Sequence, residues 1–99
     1  MNNYQIDRTK WAKLTIFQQM ANIGAEVGRT FNAIRQKDET RAENAMVRAL
    51  DLFDATVENN GFVRNKEILR AKEQFLSAYV DKQPDEGLEK YFTQFAFAR

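Results

Sequence analysis

The chain has 99 residues with neither cysteine nor histidine, and its 15 lysines and arginines nearly balance 14 aspartates and glutamates, for a formal net charge of +1. That length makes one domain, residues 1–99, able to bury about 60–70% of the surface its unfolded form exposes. Disulfides, thiolate metal sites, cysteine nucleophiles, Ser-His-Asp hydrolysis and Glu-x-x-His di-iron sites are excluded, because the residues they require are absent.

Three breaks, at residues 36–39, 59–61 and 81–85, separate stretches of helical rather than alternating periodicity. The segment from Tyr4 to Leu14 reads as a short lead-in helix or an extended arm, with Trp11 and Leu14 packing back on the remainder. A helix is predicted over roughly 16–36. Thr15 and Gln18 have capping-box spacing, and Phe17, Met20, Gly24, Val27, Phe31 and Ile34 form its apolar stripe. The next is predicted over 40–58, opened by a Thr40/Glu43 box, with Ala42, Met46, Ala49, Leu50, Phe53 and Val57 inward. It is closed by Asn59-Asn60-Gly61 in the left-handed conformation. A third, over 65–82, takes Asn65 as its N-cap and turns Ile68, Leu69, Leu76, Tyr79 and Val80 inward, with Phe75 beside them. The fourth, over 85–98, starts at Pro84-Asp85-Glu86, where proline and acids suit a helix N-terminus, and carries Leu88, Tyr91, Phe92 and Phe95. Four amphipathic helices with short connections predict an all-α, antiparallel four-helix bundle, with the extra N-terminal helix or arm. No run approaches the ~20 apolar residues that span a bilayer. Asp7, Arg8, Lys10 and Lys13 leave no secretory signal in the first fifteen residues, so the expected location is the cytoplasm.

Several constellations carry candidate chemistry. Ala21, Gly24 and Gly28 share one strip of the first long helix, where each glycine costs up to ~1 kcal/mol relative to alanine, so close packing against another backbone is expected. Glu26, Arg29, Arg48, Asp51 and Arg70 are candidates for a shared polar cleft, the plain alternative being solvated pairs worth a few tenths of a kcal/mol each. Residues 38–58 carry a net charge of −4 and residues 59–83 one of +2. Lys10, Lys13, Arg64, Lys66, Arg70 and Lys72 are therefore candidates for contact with nucleic-acid phosphates, although no aromatic side chains alternate with them to stack bases. Glu26, Asp51 and Asp54 would be the ligands of a carboxylate-metal enzyme. Phe97, about 200° around its helix from Phe95, is a candidate oligomer contact.

The string from Trp11 through Gln19-Met20-Ala21-Asn22-Ile23-Gly24-Ala25-Glu26-Val27-Gly28-Arg29 resembles a family of short helical proteins of bacterial and archaeal genomes. So do Arg48-Ala49-Leu50-Asp51-Leu52-Phe53-Asp54, Lys66-Glu67-Ile68-Leu69-Arg70-Ala71 and Leu88-Glu89-Lys90-Tyr91-Phe92-Thr93-Gln94-Phe95. The Ala21–Arg29 segment is more distantly similar to a helix of the four-helix-bundle proteins from ribosomal RNA intervening sequences. That group includes the accessory variability proteins of diversity-generating retroelements, ring-forming and basic partners of a reverse transcriptase. This resemblance implies a bundle serving a nucleic-acid-processing partner. With no nucleophile-base pair, no cofactor is expected. The sequence favours a non-enzymatic, self-associating accessory protein, with direct nucleic-acid binding and the carboxylate-metal enzyme as rivals.

Overall fold

The computed structural model describes residues 5–96, and of residues 62–64 the backbone alone. It contains α1 (Arg8–Ala12), α2 (Ile16–Arg35), α3 (Glu39–Glu58), α4 (Phe62–Asp81) and α5 (Glu86–Ala96), with no strand among the described residues. None of these helices is long and apolar enough to cross a membrane. Tyr4, Phe97 and Arg99 lie outside the described residues.

The capping chemistry follows the sequence at one end of the chain and departs from it elsewhere. At α2 the predicted box is present: Gln18 N donates to Thr15 Oγ1 at 3.1 Å and Thr15 N to Gln18 Oε1 at 2.9 Å. At α3 the cap is Asp38, whose Oδ1 accepts from Arg41 N at 3.1 Å, and Thr40 falls inside the helix. Aspartate is the better N-cap and adds a charge at the positive end of the dipole. α4 starts at Phe62 behind Gly61, three residues before the expected Asn65. Asn65 instead donates through Nδ2 to Val57 O at 3.1 Å, serving a carbonyl near the end of α3. Asp85 Oδ1 accepts from Leu88 N at 3.0 Å at the head of α5, which leaves Pro84 one position ahead of the capping residue.

The helix stops differ most. Asn59 has φ −108° and Gly61 −76°, so neither is left-handed. Asparagine side chains close α3 instead, Asn59 Nδ2 donating to Ala55 O at 2.8 Å and Asn60 Nδ2 to Thr56 O at 2.6 Å. The left-handed residues are Lys37 (φ 59°) and Lys82 (φ 55°). Each terminates its helix with paired bonds, Lys37 N to Ile34 O with Asp38 N to Ala33 O, and Lys82 N to Tyr79 O with Gln83 N to Ala78 O. This is the Schellman arrangement, built on lysine where glycine would be free of strain.

α2 packs most extensively on α3 and next on α5, while α4 lies chiefly against α3. Phe75 is central to the core: its ring stands 5.8 Å from Phe31 and 6.0 Å from Phe53, and Phe53 meets Phe92 edge-on at 6.0 Å. α5 approaches α2 at Gly24, where an added Cβ would lie 2.6 Å from Phe92 Cβ. Gly28, one turn on, faces open space, so the close approach belongs to Gly24.

α1 is held down on α3 and α2 by polar bonds beneath an apolar anchor. Trp11 is buried, and its Nε1 donates to Thr56 Oγ1 at 3.0 Å. Thr56 Oγ1 in turn donates to Leu52 O at 2.8 Å. Buried Gln19 donates through Nε2 to Trp11 O at 2.9 Å. An indole buried with its N–H satisfied contributes its full apolar area without the cost of an orphaned donor.

Candidate functional site

Two surface features stand out once the core is assigned, one charged and one apolar. The charged one lies at the seam of α2 and α3. Glu26, 13% exposed at its side chain, reaches across from α2: its Oε1 accepts from Arg48 Nε at 3.2 Å and its Oε2 pairs with Arg29 Nη1 at 3.1 Å. Arg29 and Arg48, with Arg41, Asn44 and Ala45, line a cleft of 170 Å³. Arg41 donates through Nη1 to Gln36 Oε1 at 2.9 Å, and the same nitrogen stands 3.8 Å from Asp38 Oδ2. Three arginines from two helices thus line one small opening.

Of the residues expected to share a polar cleft, Glu26, Arg29 and Arg48 are brought together. Asp51 is not with them. Its Oδ2 accepts from Ile6 N at 2.6 Å and its Oδ1 from Arg8 Nη1 at 2.7 Å, so it secures the segment leading into α1. The bond to Asp51 holds the Arg8 guanidinium above its usual pKa, outweighing desolvation; the bond to Glu89 does the same for Arg35. Arg70 is exposed on α4, beside a groove shared with α5 that Glu67, Gln74, Asp85 and Tyr91 also line.

The carboxylates weighed as metal ligands are separated. Glu26 is held by Arg29 and Arg48, Asp51 by Arg8, and Asp54 accepts from Lys72 Nζ at 2.8 Å. Among the described residues no group of three or more acidic side chains is placed to hold a metal ion. The proposed nucleic-acid contacts are likewise divided. Lys10 and Lys13 belong to α1 and its C-cap, whereas Lys66, Arg70 and Lys72 are on α4. Lys72 follows Arg70 by two residues, which turns it ~200° around the helix, toward Asp54 of α3. The side chain of Arg64 is not among those the structure describes.

The apolar feature overturns the predicted inward face of α4. Its buried residues are Ile68, Ala71, Phe75 and Ala78, while Leu69 is 45% and Val80 71% exposed. Half-buried Leu76 shares the side of Leu69 and Val80, and half-buried Tyr79 lies between that side and the core face. The larger side chains Leu69, Leu76 and Val80 therefore form a second strip, rotated ~140° from the core face. Ile68, Ala71, Phe75 and Ala78 do recur at three- and four-residue steps, a signal outweighed by the bulk of the leucines. Phe17, also expected inside, is 40% exposed, with its ring 6.4 Å from that of Phe95. No protein-family model, curated protein or solved structure matches the chain.

Proposed function

We propose that this chain is a non-enzymatic helical interaction protein that self-associates through the outer strip of α4. The observation that carries the reading is that strip itself, Leu69, Leu76 and Val80 on a 20-residue helix whose core contacts come from a different face. Large apolar side chains held in water, Leu69 and Val80 above all, have a standing free-energy cost that association removes. The helix offers a face ~30 Å long.

The occupant that fits is a second copy of α4 running antiparallel. Its first half, residues 62–71, carries Arg64, Lys66 and Arg70 against Glu67, while its second half carries Glu73 and Asp81 and a Lys72 that is paired to Asp54 of α3. A two-fold axis across the middle of α4 would set each basic half against an acidic one and Leu69 of one copy against Leu76 of the other. Lys82, just beyond, folds back with its Nζ 4.5 Å from the centre of the Tyr79 ring. The frame carrying this helix we read as an antiparallel four-helix bundle of α2–α5 with α1 laid across it. Connections confined to residues 36–38, 59–61 and 82–85 support that, since such short links join neighbours of opposite direction. The non-enzymatic reading is supported by Glu26, Asp51 and Asp54 each being tied to a cation.

Sedimentation equilibrium tests the reading directly. The wild-type chain should sediment as a dimer, and Leu69→Glu/Val80→Glu should sediment as a monomer with unchanged helical circular dichroism. A wild-type chain that stays monomeric at millimolar concentration, or a double variant that stays dimeric, refutes it.

A further inference from the structure

The three-arginine cleft does not take part in the α4 contact, and its chemistry points to a ligand of its own. We infer that the cleft between α2 and α3 binds a phosphoryl oxyanion, either free or carried on a polynucleotide backbone, through Arg29, Arg41 and Arg48.

The first ground is unused donor capacity. A guanidinium presents five N–H donors in a rigid fork. Arg48 gives Nε to Glu26, so both of its terminal nitrogens remain for a ligand. Arg29 pairs through Nη1 alone, and Arg41 bonds through Nη1 alone. Each therefore keeps a two-nitrogen edge, the geometry that matches two phosphate oxygens.

The second ground is positioning. Glu26 is nearly buried and holds one arginine with each carboxylate oxygen, fixing two otherwise long and mobile side chains on the rim of one opening. Part of the ordering entropy that a ligand would otherwise have to offset is thereby removed in advance. Against the three arginines stand Glu26 and, at 3.8 Å from Arg41, Asp38, so the cleft retains an excess positive charge.

Size sets the ligand class. The cleft's 170 Å³ falls below the ~300–1,000 Å³ of pockets that enclose drug-sized molecules. It suits one or two phosphoryl groups, with whatever carries them left outside. Fork-shaped donors favour paired oxygens of a tetrahedral phosphate over a halide.

The probe for the free anion is inorganic pyrophosphate, titrated calorimetrically. The probe for the carried one is a fluorescent single-stranded RNA oligonucleotide read by anisotropy. Arg41→Gln leaves the Glu26 pairs intact and should weaken pyrophosphate binding about tenfold or more, the loss of a charge-assisted hydrogen bond. Arg48→Gln should weaken it at least as much. Arg70→Gln removes the same charge from α4 and should leave affinity unchanged. Displacement of the oligonucleotide by pyrophosphate would assign the carried form, and pyrophosphate binding without oligonucleotide binding the free form. The inference is overturned if pyrophosphate fails to bind at millimolar concentration, or if Arg70→Gln weakens binding as much as Arg41→Gln. Oligonucleotide binding indifferent to Arg41→Gln and to pyrophosphate would equally overturn it.

Discussion

Gly24 and Gly28 lie one turn apart on α2, and replacing each by alanine should move stability in opposite directions. Both substitutions gain the same helix-propensity term, ~0.8–1.0 kcal/mol for glycine to alanine in a helix interior. Neither glycine has a positive φ, so no backbone strain enters. At Gly28 the new methyl meets nothing within 4 Å, and the gain should appear in full. At Gly24 it meets Phe92 Cβ at 2.6 Å and Cγ at 3.3 Å. A Cβ cannot swing aside by changing rotamer, so α5 as a whole must retreat from α2. Overpacking of this kind costs ~1–3 kcal/mol, which leaves Gly24→Ala between neutral and ~2 kcal/mol destabilised. The propensity term is common to both variants, so their difference, ~1–3 kcal/mol, isolates the clash. For a domain of this size each kcal/mol moves the melting temperature by ~4–8 °C. Thermal unfolding followed by circular dichroism at matched chain concentration resolves that. Equal rises in melting temperature for the two variants would refute the α2–α5 contact.

Thr56→Val removes the acceptor of the Trp11 indole while keeping the shape, and should cost ~1–3 kcal/mol in urea unfolding because a buried donor is left unpaired. A neutral result would mean that the indole finds another partner. Arg35→Ala, which breaks the 2.6 Å pair tying α2 to α5, should cost less than ~1 kcal/mol at this exposed site and fade with added salt. The bond to Glu89 raises the Arg35 pKa above its ordinary value in the folded chain, so its contribution is complete below the unfolded value and lost only as pH rises through the folded one. The guanidinium therefore adds no pH dependence to the Arg35→Ala cost between pH 6 and pH 8, and a loss of that cost across this window would count against the pairing. Lys37→Gly should stabilise by ~1 kcal/mol, relieving a left-handed side chain. Lys82→Gly should gain less, since it also gives up a cation–π contact worth ~0.5–1 kcal/mol, and calorimetric melting of both variants checks the order.

The existence of the four long helices was legible because periodicity acts locally, and so was capping at α2. Thr15 with Gln18 named the start of α2 to the residue, and the apolar steps through Met20, Val27 and Phe31 named its face. What was illegible depended on neighbours. Nothing local marks Lys37 and Lys82 as left-handed, since the usual glycine or asparagine is absent and the turn is imposed by where α3 and α5 must begin. The inward face of α4 was misread because side-chain bulk favours Leu69 and Leu76. The space beside Phe31 and Phe53 is filled by Phe75 and admits only Ala71 and Ala78 around it. The arginine cleft was half legible. Spacing on α2 joined Glu26 to Arg29, but the crossing to Arg48, and the addition of Arg41, needed the two helices to be laid side by side.

The two proposed surfaces bear on one another through the geometry of α3. Arg48 and Asp54 are six residues apart and so face different sides of the helix, Arg48 bonded to Glu26 of α2 and Asp54 to Lys72 of α4. Pairing through α4 would therefore leave both arginine clefts of a dimer uncovered. A free anion would not sense the second cleft, whereas a polyphosphate chain long enough to reach both would bind with an effective concentration set by their separation. It follows that Leu69→Glu/Val80→Glu should leave pyrophosphate affinity per chain untouched while weakening a long oligonucleotide more than a short one. Unchanged affinity at both lengths would mean that self-association and anion binding are independent properties of this chain.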